Sequence, residues 1–95
     1  MVLSMINKAL SADYEIARSI IKIKHLNGND PNITEEVSEL EIDNSVINAL
    51  YQLLAESIIK ENHLNKSDRN IMQKVDQMKI DNNVKKAVYE ILGIK

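Results

Sequence analysis

Slid along itself by 38 positions, the chain pairs residues 17–54 with residues 55–92 without a gap, and 19 of the 38 places are identical. Chance gives only a few such matches, so the sequence reads as an internal duplication. This constrains the fold more than any other feature, because one supersecondary unit must pack against a copy of itself. The 95 residues make a single domain, large enough to bury a modest core without metal or disulfides. It divides into a partial leading helix at 1–16, unit one at 17–54 and unit two at 55–92.

The positions that stay apolar in both units nominate the core. Identical pairs are Ile20/Ile58, Ile21/Ile59, Leu26/Leu64, Ile33/Ile71, Val37/Val75, Ile42/Ile80, Val46/Val84 and Leu54/Leu92, with apolar character kept at Leu40/Met78, Leu50/Val88 and Leu53/Ile91. Small Ala49/Ala87 recurs where two helices approach closely. The spacing is helical: Ile33, Val37 and Leu40 fall at i, i+4, i+7, as do Val46, Leu50 and Leu53. Asp30 before Pro31 predicts an N-cap with Pro in the first turn, and Asp68 keeps the cap in unit two. Asp43-Asn44 and Asp81-Asn82 predict caps for the next helix. His-Leu-Asn at 25–27 and 63–65 predicts a stop, with Asn in the left-handed conformation. The expected fold is all-α, with about five helices near 4–26, 31–41, 44–64, 69–79 and 83–93.

The stretch Asp43-Asn44-Ser45-Val46-Ile47-Asn48-Ala49 with Leu53-Leu54 resembles a HEAT repeat, and Asp81, Val84, Ala87 and Leu92 repeat the resemblance. In that family an Asp in the inter-helix turn precedes a Val, with an Ala three residues on. The family's Arg after the Val is missing, since Ile47 and Lys85 stand there. A duplicated helical hairpin closed into a small bundle is therefore the alternative architecture. The resemblance implies a scaffold or binding surface in place of chemistry.

Composition excludes several classes. There is no Cys, hence no disulfide framework and no thiolate chemistry; a reducing cytoplasm is the expected setting. Twelve basic against fourteen acidic residues do not make a bulk polycation. With three Tyr as the only aromatic residues, stacking on bases is a poor main binding mode. The apolar start, Met1 to Ile6, is interrupted by Lys8 and lacks the form of a secretory signal, and no apolar run approaches the ~20 residues of a membrane span.

Candidate chemistry is sparse. His25 and His63 occupy equivalent places, but no ligand set or His-Glu-x-x-His spacing accompanies them, and each suits the last turn of a helix. The densest acidic cluster is Glu35, Glu36, Glu39, Glu41 and Asp43, which reads as a solvated face or a partner-binding surface. Unit two places Gln73, Lys74, Gln77 and Lys79 at the first four positions, so the fold does not require this charge. Residues 1–54 hold four basic and eight acidic residues, net −4; residues 55–95 hold eight and six, net +2. Such asymmetry suits self-association, while surface drift after duplication explains it equally well. A DNA-binding helix-turn-helix in unit two would place Asn82, Asn83, Lys85 and Lys86 at the start of its recognition helix. Tyr14, Tyr51 and Tyr89 suit helix packing with the hydroxyl near the surface. No nucleophile elbow, P-loop or dinucleotide fingerprint is present.

The expectation is a non-catalytic protein–protein interaction module, a small adaptor or regulator without cofactor or metal. It is expected to form a homodimer, because apolar residues at both ends (Leu3, Ile6 and Leu10; Val84, Val88 and Ile91) call for a cover. A small DNA-associated protein is the alternative.

Overall fold

The computed structural model describes the backbone of residues 2–94 and the side chains of residues 12–94. Among the described residues there are five α-helices and no strand: α1 (Val2–Lys24), α2 (Ile33–Ser38), α3 (Asn44–Glu61), α4 (Ile71–Asp76) and α5 (Asn82–Leu92). The fold is all-α. The long helices lie side by side with α3 in the middle, packed on α1 along one flank and on α5 along the other. No comparable packing joins α1 to α5, and α4 rests on α5. The Cα framework measures 37 × 35 × 19 Å, a slab about two helix layers thick at 8–10 Å between packed helices. The helices form an open row; they do not close around one axis.

Burial repeats at the 38-residue offset. Ala17/Ala55, Ile33/Ile71, Val37/Val75, Val46/Val84, Ala49/Ala87, Leu50/Val88 and Leu54/Leu92 are buried in both units. Ile21/Ile59, Leu26/Leu64, Leu40/Met78, Ile42/Ile80 and Leu53 pack around them, partly buried. Two pairs differ between units, and position in the row explains both. Ile58 is sealed beneath the turn at Gly28, where an added Cβ would stand 3.0 Å from Ile58 Cγ1 and 3.1 Å from the Leu54 carbonyl oxygen. No such turn covers Ile20, which is half-buried. Leu53 packs against α1, whereas Ile91 has no further helix beside it and is 41 % exposed.

The expected apolar face at the second end is therefore corrected. Val84 and Val88 are fully buried within the chain against its own helices, leaving Ile91 alone open to solvent. The expected residues at the first end, Leu3, Ile6 and Leu10, lie outside the described side chains.

The helix ends correct three further expectations. His25 and His63, not the asparagines, take the left-handed conformation, at φ 55° and 53°. The next amide then reaches back five residues, Leu26 to the Ile21 carbonyl and Leu64 to the Ile59 carbonyl, both at 3.0 Å. This is the Schellman stop, and it brings the leucine onto the isoleucine as its hydrophobic clasp. The Asn27 and Asn65 side chains instead accept bonds from the Asn29 and Ser67 amides, at 2.9 Å each, and so shape the turn that follows. Asp30 and Asp68 do accept from the amides two residues on, at 2.9 and 3.0 Å. The turns they cap precede the regular helices, which begin only at Ile33 and Ile71 and are shorter than expected. Asp81 caps α5 through the Asn83 amide, whereas Asp43 heads α3 without a side-chain bond. A neighbour accounts for the difference: the Thr34 hydroxyl donates to Asp81 Oδ1 at 2.7 Å and fixes its rotamer.

Candidate functional site

Glu35, Glu36, Glu39 and Glu41 are all exposed, as is Asp43. Helical spacing turns Glu35 and Glu36 outward, because Ile33 and Val37 occupy the inward face of α2, while Glu39, Glu41 and Asp43 lie in the segment between α2 and α3. Asp30 stands beside Glu36. Partial desolvation, then a hydrogen bond with the Asp30 carboxyl, then the charges of Asp30 and Glu39 hold the Glu36 carboxyl above its ordinary range. The equivalent pair in unit two is Asp68 and Lys74, joined by a salt bridge. There the hydrogen bond from Lys74, then the Asn70 amide, pulls the Asp68 carboxyl below its ordinary range. One backbone geometry thus carries a repelling pair in unit one and an attracting pair in unit two.

The α3–α5 side holds a groove of about 500 Å³, bounded by α2, α3 and α5 and including Tyr51, Gln52, Asn83, Lys86, Ala87 and Glu90. Shifted back by 38, those six positions are Asp13, Tyr14, Ser45, Asn48, Ala49 and Gln52, and they line a smaller recess between α1 and α3. The groove therefore recurs with the sequence offset. At the first joint the Tyr14 hydroxyl donates to Gln52 Oε1. Desolvation, with a smaller push from Glu56, raises the Tyr14 phenol above its ordinary range. At the second joint Thr34 is the hub. Its Oγ1 accepts from the Tyr51 hydroxyl at 3.2 Å and from Asn83 Nδ2 at 2.9 Å while donating to Asp81. This polar knot ties α2 of unit one to the start of α5 in unit two.

The residues of the nucleic-acid alternative are drawn into that knot and its neighbours. Asn82 is exposed at the head of α5, but the Asn83 side chain is held by Thr34. Lys85 is half-buried and donates to the Asp76 carbonyl at 3.0 Å, beside the bond from Tyr89 to the Asp76 carboxylate. Lys86 is exposed and shares the groove with Glu90. Two of the four residues thus serve the fold, and carboxylates of Asp76, Asp81 and Glu90 stand among them, where phosphate would be repelled.

Among the described residues no group of three or more His, Asp or Glu is placed to hold a metal ion, and no helix is long and apolar enough to cross a membrane. His25 and His63 sit at equivalent turns, serving as helix stops. The Thr34 hub was not foreseen from the sequence. Thr34 pairs with Met72 in the internal comparison, and a position that differs between units gives no signal there. Comparison with known proteins finds no family model, no curated protein and no solved structure that matches the chain.

Proposed function

We propose that this chain is a small HEAT-like helical repeat acting as a non-catalytic protein–protein interaction module in the cytoplasm, self-associating and offering the acidic face of α2 and the segment that follows it to a basic protein partner. The repelling pair at Asp30 and Glu36 carries the reading. Unit two shows that the same position accepts a stabilising lysine, yet unit one keeps a carboxylate beside a carboxylate. Charges held against local stability mark surfaces where a partner supplies the missing counter-charge. The short helix is suited to this, since its inner face is locked by Ile33 and Val37 and its glutamates are presented without reorganisation.

The test exchanges the face for its own counterpart. Glu35→Gln, Glu36→Lys, Glu39→Gln and Glu41→Lys together install the residues that unit two carries, which its own helix tolerates. Immobilised wild-type protein is expected to retain a defined partner from extract of the source cells, and the exchanged protein to lose it. Retention of the same proteins by both would refute the acidic face as the binding surface. A gel shift with duplex DNA at low salt, abolished by Lys85→Glu with Lys86→Glu, would overturn the reading in favour of nucleic acid.

A further inference from the structure

The segments that carry α2 and α4 repeat one backbone with opposite charge. Residues 28–41 hold five acidic residues and no basic one, whereas residues 66–79 hold four basic and two acidic, net −5 against net +2. Ile33/Ile71 and Val37/Val75 anchor both segments in the same way, and Asp30 and Asp68 cap equivalent turns. Glu35, Glu36, Glu39 and Glu41 in the one, and Lys66, Arg69, Lys74 and Lys79 in the other, are all exposed. Little of this charge is neutralised within the chain. Among the described residues the pair of Lys74 with Asp68 is the one salt bridge, so Lys66, Arg69 and Lys79 have no carboxylate bonded to them. The acidic segment has no bonded cation, and Asp30 and Glu39 press on Glu36 instead.

Charge and placement together select an occupant. α2 and α4 hold the same place in successive units, so they lie one step of the helix row apart, about 8–10 Å, with their exposed sides turned the same way. Consider a two-fold axis that lies in the interface, midway between α2 and α4 and perpendicular to the line joining them. It lays α4 of each copy over α2 of the other, so both acidic segments meet basic ones and every pairing occurs twice. An axis along that line would lay α2 over α2, where the glutamates repel. The opposed segments share one shape and one spacing, so both pairings close at once. A second copy thus supplies, on a matching frame, the counter-charge that the acidic segment lacks.

We infer that residues 28–41 of one chain pair with residues 66–79 of a second in a symmetric homodimer, the glutamates around α2 meeting the lysines and arginine around α4. The inference rests on the reading above and names its basic partner as a second copy of this chain. Complementary charge sets specificity and encounter rate more than affinity, and exposed pairs are individually weak and screened by salt. The dimer is therefore salt-labile.

At low salt, light scattering behind a sizing column should give twice the chain mass of 10.8 kDa, falling to the single mass in about 1 M salt, where the Debye length is about 3 Å. Replacing Glu35, Glu36, Glu39 and Glu41 by Lys shifts the charge by two at each place and carries residues 28–41 from −5 to +3. Lys66→Glu, Arg69→Glu and Lys79→Glu carry residues 66–79 from +2 to −4 and leave Lys74 on its bridge. Each variant alone should weaken association at least about tenfold, because like charges now meet in both pairings; circular dichroism reports whether the helices persist. Mixed in equal parts at low salt, the two variants should dimerise with each other, since opposite charges meet again in both pairings. A wild-type monomer at low salt would overturn the inference; loss of the extract partner on exchange of the acidic residues would then still uphold the reading above, with a foreign partner. A dimer indifferent to salt and to both variants would overturn this surface. Two helical variants that stay monomeric when mixed would overturn the pairing of residues 28–41 with 66–79.

Discussion

Replacing His63 by Gly should stabilise the protein, although it shortens a side chain and removes nothing from solvent. His63 holds φ at 53°, where the Cβ of an L-residue crowds its own backbone at a cost of about 1–2 kcal/mol. Histidine tolerates this region better than most residues, which places it near the lower limit. The backbone bonds of the stop, His63 to the Lys60 carbonyl at 3.3 Å and Leu64 to the Ile59 carbonyl at 3.0 Å, need no side chain at position 63 and persist in the variant. Glycine has more freedom to lose on folding, which offsets part of the gain. The net expectation is about 0.5–1 kcal/mol in favour of His63→Gly, and about twice that with His25→Gly added, because the two turns are independent sites. His63→Val should move the other way by about 1 kcal/mol or more, since a β-branched residue suits this conformation worst. Urea titrations followed by circular dichroism give the differences, with m unchanged if only the native turn is affected. Loss of stability in His63→Gly, or equal stability of the Gly and Val variants, would refute the left-handed stop.

Three further outcomes are expected. Gly28→Ala should cost about 1–3 kcal/mol by urea titration, because its Cβ meets Ile58 and the Leu54 carbonyl oxygen at 3.0–3.1 Å; Lys66→Ala, at the equivalent exposed place, should cost almost nothing. Thr34→Val should cost about 1–2 kcal/mol by loosening Asp81, Asn83 and Tyr51 together, with amide-exchange protection falling first at the start of α5. The two carboxylates should respond to pH with opposite signs. The lowered Asp68 group stabilises the fold above the ordinary carboxylate range and loses that contribution as pH falls through its folded value, so Asp68→Asn should lower Tm at neutral pH and matter little in strong acid. The raised Glu36 group disfavours the fold once ionised, so Glu36→Gln should raise Tm at neutral pH and converge with wild type below the ordinary glutamate range.

Much of the fold was readable because residues 17–54 and 55–92, alike at 19 of 38 places, could be compared with each other. Pairs such as Ile33/Ile71, Val37/Val75 and Leu54/Leu92 were marked for burial by identity and spacing together, and they are buried. Ala17/Ala55, equally identical and buried, passed unnoticed because a small side chain carries a weak hydrophobic signal. The left-handed histidines were hidden for a related reason. Propensity points to Asn, but the residue that adopts the conformation is set by where Leu26 and Leu64 must land on Ile21 and Ile59. Comparison of the units had no power where their surroundings differ: Ile91 matches Leu53 in sequence and lacks its neighbour. Of the candidate surface, the acidic residues of α2 were legible as exposed charge. The contrast that gives them meaning, Asp30 with Glu36 against Asp68 with Lys74, required knowing that residues six apart meet across a capped turn.

The open row of long helices, with α3 shared by both neighbours, is tested most directly by nuclear Overhauser contacts among the methyl groups of selectively labelled protein. Methyls of Ile21 and Ala17 should report on α3, and those of Ala87 and Val88 on the opposite flank of α3. Within one chain, α1 and α5 should show no contact with each other, mixed-label samples separating contacts between chains from those within one. Intrachain contacts between α1 and α5 would show a bundle closed on itself and would contradict the stacked arrangement.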